Sequence, residues 1–322
     1  MTERLGRAHP LAAFLIRRTT RMVASMGVLL VLTFVMIHLI PGDPVRAQLG
    51  PKAPPELVAQ RRAELGLDNS LPQQFWDYVK GIFSGDFGTS AVSNLPVSDV
   101  ISERLPHTAT LAGLAFVVIM LLSVPIGMVA AILTRDGRGR VTELAFTTTS
   151  GFFATIPDFV LGVSLVYVFG VSLDWFPVAY EPGPVAYVLP VAALSIGAIA
   201  ALARIVRAET LQVFGQDYMR TARSKRLPAR LEYLRHALPN MLTSTLTLGG
   251  LMLTGLVGGT VLVENVFAWP GLGTTVVQSV VNQDYQLAQA VMLLLGGTVL
   301  VANLLVDVLL GVIDPRSTIR EA

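Results

Sequence analysis

Residues 106–134, PHTATLAGLAFVVIMLLSVPIGMVAAILT, contain no Asp, Glu, Lys or Arg. A helix of this length extends about 40 Å, more than the roughly 30 Å of a bilayer's hydrocarbon core. The run is apolar on every face, whereas a barrel strand alternates apolar and polar at period two, so it reads as a membrane-spanning helix. Four further charge-free stretches run from Met22 to Ile40, Pro182 to Ala203, His236 to Val263 and Tyr285 to Val306. A sixth, Leu144 to Leu173, is interrupted only by Asp158. The expectation is an all-α integral membrane protein with six transmembrane helices.

Composition agrees. Of 322 residues, 52% are hydrophobic and 14% charged, with a mean hydropathy of +0.61. A soluble domain carries about 25% charged residues, so a single soluble globule is excluded. With no cysteine, neither a disulfide framework nor a thiolate metal site is available.

The net charge is only +2, so the distribution of the 24 Lys and Arg residues matters more than their sum. Five precede the first span (Arg4, Arg7, Arg17, Arg18, Arg21), three follow the second (Arg135, Arg138, Arg140), eight lie from Arg204 to Arg235, and Arg316 and Arg320 end the chain. The opposite side holds six, all between Arg46 and Arg104. Because basic residues are retained in the cytoplasm, eighteen against six places both termini there. Arg17-Arg18 before an apolar run also resembles an export signal. No small-x-small site lies close to its end at Pro41-Gly42-Asp43-Pro44, so it reads as an uncleaved span.

The chain therefore divides into an N-terminus with the first helix (1–40), an external cap (41–105), a five-helix core with a cytoplasmic loop at 209–240 (106–316), and a tail (317–322). In the cap, Pro54-Pro55-Glu56 starts a helix that Gly66 ends. A second helix fits Pro72 to Phe83, whose Phe75, Trp76, Tyr78 and Phe83 suit a position at the lipid headgroups. Gly255 and Gly259 have the small-xxx-small spacing of close helix contact.

Catalytic signatures are missing. None of the three lysines (Lys52, Lys80, Lys225) sits in a phosphate-binding loop, the four histidines form no His-Glu-x-x-His pair, and no Gly-x-Ser-x-Gly elbow occurs. Acids inside a membrane are costly and mark function by default, which singles out Asp158 and Asp307. Asn303 and Asp307, one turn apart, suit bonds to a neighbouring helix. Asp158, after Pro157, suits a kink facing an aqueous path. A proton-coupled secondary transporter would need more than this single acid near midplane.

Several motifs together resemble a known family. They are Arg17-Arg18, Pro41-Gly42-Asp43-Pro44, Gly85-Asp86-Phe87-Gly88-Thr89-Ser90, Ile156-Pro157-Asp158-Phe159, the loop Asp217-Tyr218-Met219-Arg220-Thr221-Ala222-Arg223-Ser224-Lys225, Val263-Glu264-Asn265-Val266-Phe267-Ala268-Trp269-Pro270-Gly271-Leu272-Gly273, and Asp314-Pro315-Arg316. In this order they resemble the B-type permease subunit of ABC importers for dipeptides, oligopeptides and nickel. The resemblance implies a non-catalytic inner-membrane subunit forming half of a translocation pathway. It also implies a second related permease, two cytoplasmic ATPase subunits or domains that hold ATP and Mg, and an external substrate-binding protein. No cofactor on this chain and no nucleic-acid partner are expected; membrane lipids surround it. The expected cargo is a dipeptide or oligopeptide, with nickel as the alternative.

By the same resemblance, the loop before the fifth span is a short helix that docks on the ATPase, with Asp217, Tyr218, Arg220, Thr221, Ala222, Arg223, Lys225 and Arg226 as its residues. Tyr218, Ala222 and Arg226 fall at i, i+4 spacing, and the small Ala222 is expected to enter the partner's groove. The family usually has glycine where Arg226 stands and proline where Ser244 stands. Glu264, Phe267, Trp269 and Pro270 are expected in a re-entrant turn at the outer mouth of the pathway, which Asp158 also lines. The competing expectation makes Trp269 an anchor at headgroup depth.

Overall fold

The computed structural model describes residues 10–39, 44–50, 52–64, 66–137 and 139–313. Arg4, Arg7, Arg138, Arg316, Arg320, most of the Pro41–Pro44 motif, the Asp314-Pro315-Arg316 motif and the tail at 317–322 lie outside the described residues. The described residues are almost all helical, with one isolated bridge between Thr89 and Pro96.

Helix α1 (Pro10–Leu39) leads to a cap of α2 (Pro44–Leu49), α3 (Pro55–Glu64) and α4 (Leu71–Ser84). Then follow α5 (Val97–Leu133), α6 (Arg140–Thr155) and α7 (Asp158–Leu165), which continues through π-helical turns to Ser172. Helix α8 (Val188–Phe214) is followed by the short α9 (Asp217–Ser224). Next, α10 (Ala229–Leu231) passes through π-helical turns at Glu232–Ala237 into α11 (Leu238–Val266), and α12 (Leu272–Val281) and α13 (Tyr285–Ile313) complete the order. Among the described residues, five helices are long and apolar enough to cross a membrane, and the pair α6 and α7, bent by 93° at Ile156-Pro157, brings the number to six if it is one span. The expected kink at Pro157 is thus a full break, because Pro157 supplies no N–H and α7 starts afresh at Asp158.

Helix bounds depart from the apolar runs. Helix α5 begins at Val97, nine residues before Pro106, and passes through Pro106 and Pro125. Charge-free runs mark the part in hydrocarbon, whereas helices continue into water on either side. Helix α8 likewise continues past Ala203 through Arg204, Arg207 and Glu209.

Helices α5 and α8 form the central pair, with α11 packed across α8. Leu111, Ala115 and Ile119 of α5 and Ala193, Leu194, Leu202 and Val206 of α8 are fully buried. Close approach depends on Gly127, since a Cβ there would lie 2.5 Å from the Ala203 carbonyl oxygen and 2.6 Å from the Val206 side chain. Gly249 meets Met120 and Gly250 meets Val306 in the same way. Of the expected pair, Gly259 packs against Asp158 and Leu194, but Gly255 faces open space. The contact on α11 is therefore made by Gly249, Gly250 and Gly259 rather than by the Gly255 spacing.

Helix α1 packs along α13, and Ile16, Val23, Val28, Val31 and Leu32 stay exposed, as suits a lipid-facing surface. Arg18 pairs with Asp307 at 3.0 Å, and Thr254 donates to Asn303 at 2.9 Å. Asp307 and Asn303 thus bond neighbouring helices, as their spacing suggests. In the cap, α3 and α4 both end in a left-handed glycine: Leu67 N donates to Arg62 O after Gly66, and Asp86 N to Gly81 O after Gly85. Helix α4 leans on α1 through the Tyr78 and Thr33 hydroxyls (3.1 Å) and an edge contact of Phe75 with Phe34. Trp76 and Phe83 remain exposed.

The Gly127 contact predicts that Gly127→Leu destabilises the protein by about 1–3 kcal/mol through overpacking. Gly113→Leu on the same helix, where nothing lies within 4 Å, should be tolerated. Thermal unfolding of the two purified variants in detergent checks the difference.

Candidate functional site

Two places gather the residues singled out by sequence. At one end of the bundle, α8 stops at Phe214 and the chain turns through Gly215 and the extended Gln216 into α9. Asp217 opens the helix, where a negative charge meets the positive end of the helix dipole. The helix closes at Arg226, whose φ is +52°. Arg226 N donates to Arg223 O (2.9 Å), and Leu227 N reaches Ala222 O (3.5 Å), the pattern of a left-handed helix end. This explains why glycine is the usual residue of the resembled family there: an L side chain in this conformation costs about 1–2 kcal/mol.

The faces of α9 differ from expectation in one respect. Met219 and Ala222 are buried against the chain's own core, Ala222 at 5% exposure, so Ala222 does not offer itself to a partner. Position 222 lies on the inward side because α9 lies flat against the body and must bury its apolar stripe. Arg223 also turns inward, with Nε on Glu232 at 2.7 Å. The open face consists of Asp217, Tyr218, Arg220, Thr221, Ser224 and Lys225, with Tyr218 42% exposed.

At the other end, the chain leaves α11 at Val266 and re-enters as α12. The first N–H groups of α12 lack helical partners, and a buried helix start needs them satisfied. Glu264 and Thr108 of α5 do so. Glu264, 0% exposed, accepts from Gly273 N (2.6 Å), Thr274 N (3.3 Å) and Thr108 Oγ1 (2.7 Å), while Thr108 Oγ1 accepts from Leu272 N (2.8 Å). Gly273 is required for this fit, since a Cβ there would press on the Val261 backbone at 2.5 Å.

Trp269 plugs the turn. It is fully buried, with ring centroids 4.6 Å from Tyr187 and 4.7 Å from Tyr180, and its Nε1 donates to His107 O at 3.3 Å. A Trp at headgroup depth would be half in water, so burial overturns the anchor alternative. Phe267 is also buried and Pro270 is half-buried. Sequence reasoning missed Asp284, which starts α13 and accepts from Ser90 Oγ at 2.5 Å and Ala91 N at 3.2 Å. The Gly85–Ser90 motif is thereby stapled to the last helix.

Asp158 belongs to neither place. It sits at the α6–α7 break, half-buried, with Oδ1 facing Gly197 of α8 and Oδ2 facing Gly259 of α11. Among the described residues it has no hydrogen-bond or ion-pair partner.

Two outcomes follow. Arg226→Gly should stabilise α9 by about 1 kcal/mol by relieving the left-handed side chain, read as slower hydrogen exchange over residues 217–225. Glu264→Ala should orphan two backbone donors at about 1–3 kcal/mol each and speed exchange at residues 272–276, with Glu264→Gln milder because it keeps an acceptor.

Comparison with known proteins agrees with this architecture. Residues 123–319 match the family model described as binding-protein-dependent transport system inner membrane component, and residues 11–112 match its N-terminal companion. The glutathione transport system permease protein GsiC of Escherichia coli K12 is 37% identical over 302 residues, 94% of this chain and 97% of that protein. The GsiC of Salmonella typhi has the same identity and coverage. A crystal structure of an amino acid ABC transporter with histidines aligns with a TM-score of 0.50 and 18% identity over 66% of this chain and 94% of its own, a likeness of fold. These matches over nearly the whole length place the chain in the family of ABC importer inner-membrane permeases of the peptide, oligopeptide and nickel type.

Proposed function

We propose that this chain forms half of the translocation pathway of an ATP-driven importer for short peptides, together with a second related permease. An external binding protein delivers the cargo, and two ATPase subunits or domains, which hold ATP and Mg, drive transport from the cytoplasmic side. The observation that carries this reading is the exposed polar face of α9, lying beside a buried face that fixes the helix to the permease body. A membrane chain without a nucleotide site of its own needs a contact through which a partner's cycle reaches its helices. The 18-to-6 distribution of basic residues supports a cytoplasmic position for this face and an external one for the cap.

Short peptides are favoured as cargo because the glutathione permeases are similar over nearly their whole length, and glutathione is itself a tripeptide. Within the pathway we assign Asp158 a place facing water. A carboxyl group at a break between apolar helices, with no partner among the described residues, is tolerable where it meets an aqueous cavity. Glu264, Phe267, Trp269 and Pro270 close the outer end as a packed turn, so opening there requires α12 to move as a unit.

The test is uptake in proteoliposomes containing the permease pair, the ATPases and the binding protein, with labelled dipeptides, tripeptides, glutathione and nickel. ATP-dependent uptake of peptides is expected; uptake of nickel alone would overturn the cargo. Thr221→Trp, which adds bulk to the open face of α9, should release the ATPase and abolish uptake. Lys225→Gln should have a mild effect, because an exposed ion pair contributes about 0.2–1 kcal/mol. Asp158→Asn should slow uptake severalfold with the complex intact, and unchanged uptake would remove Asp158 from the pathway.

A further inference from the structure

Docking on α9 does no work unless the motion of this eight-residue helix is passed on to the long helices. Its chain connections, Gly215-Gln216 on one side and Arg226 to Pro228 on the other, are turns, and its contacts at Met219 and Ala222 are apolar. Apolar surfaces can slide over one another, so a directional attachment is needed. The structure contains one, centred on Glu232 in the π-helical turns that lead into α11.

Glu232 is 8% exposed. Its Oε1 receives Arg223 Nε from α9 at 2.7 Å and an Arg135 guanidinium nitrogen from the α5–α6 turn at 3.5 Å. Arg223 also donates to the carbonyl of Phe214, the last residue of α8, at 2.9 Å. Both guanidinium groups lie over the Phe214 ring, Arg135 at 5.3 Å and Arg223 at 5.9 Å, and the same ring packs on Tyr233 at 5.6 Å. Next to this cluster, Arg207 of α8 donates Nε to Thr134 Oγ1 (3.0 Å) and pairs with Glu143 of α6 (2.7 Å), which locks the α5–α6 turn to α8. One carboxylate therefore joins α9 to the ends of α5, α8 and α11, the helices that make the core.

We infer that Glu232 is the positioning residue that couples α9 to the transmembrane helices, passing a displacement of α9 through Arg223 to α11 and through Arg135 to α5. This rests on the reading of α9 as the ATPase-docking helix. The pair is suited to the task because the Glu232 carboxylate is buried, so separation leaves its charge unpaired and shielded from water. A pull on α9 therefore moves what it is tied to.

The test uses the assembled importer in proteoliposomes and reads cargo moved per ATP hydrolysed, with ATPase retention on purification as a second readout. Glu232→Gln should lower cargo per ATP about fivefold, as expected for loss of a directly coupled pair. Glu232→Asp, which keeps the charge, should recover most of the coupling. Arg223→Gln combined with Glu232→Gln should be no worse than Glu232→Gln alone, because that variant already removes the Arg223 link. Normal cargo per ATP in Glu232→Gln, multiplying effects in the double variant, or a Glu232→Asp variant as impaired as Glu232→Gln would each overturn the inference. If Thr221→Trp releases the ATPase while Glu232→Gln couples normally, docking on α9 stands and only the role of Glu232 falls. If Thr221→Trp retains the ATPase and full uptake, the docking reading fails and takes this inference with it.

Discussion

Backbone groups inside a bilayer have no water to bond, so each interruption of a helix there must be satisfied by the protein itself. This permease has two such interruptions, and its tertiary structure is arranged around them. At the α11–α12 turn, Thr108 and Glu264 take three of the N–H groups that open α12, and Trp269 fills the space behind them. At the α6–α7 break, the Pro157 carbonyl accepts from Val160 N and Leu161 N, and the Asp158 carboxyl stands at the start of α7. Gly197 leaves room for the Phe153 carbonyl beside this break, where a Cβ would stand at 3.3 Å. Thr108 of α5 and Glu264 of α11 supply the partners at the first, and Gly197 of α8 gives the second its room.

The same three helices also meet beside α9. Helix α8 runs from the membrane to Phe214, and the ring of that residue is the floor on which Arg135 and Arg223 lie. Helix α11 itself extends about 40 Å from Leu238 to Glu264, given 1.5 Å per residue.

Much of the fold is legible in the sequence because membrane insertion is a local property. Charge-free runs show where hydrocarbon must be, and Gly66 shows where the cap helix α3 ends. The ends of α5 and α8 are not legible in this way, because a helix leaves the membrane without any change of backbone, as at Val97 and beyond Ala203. Individual site residues are harder still. Asp284 and Ser90 are 194 positions apart, and Thr108 and Glu264 are 156 apart, so nothing local announces either pair. The i, i+4 spacing grouped Tyr218 with Ala222, but spacing does not say which side of a short helix faces its own protein. Arg226 looked like a departure in sequence, and only its left-handed backbone shows what the usual glycine is for.

The central claim is that the open face of α9 meets an ATPase. A photo-crosslinking amino acid at position 218, incorporated into the importer assembled in its native membrane, tests it most directly. The account predicts a crosslinked species containing this chain and the ATPase subunit, with a yield that changes when ATP is added. Crosslinks from position 218 confined to lipid, to the chain itself or to the external binding protein would contradict it.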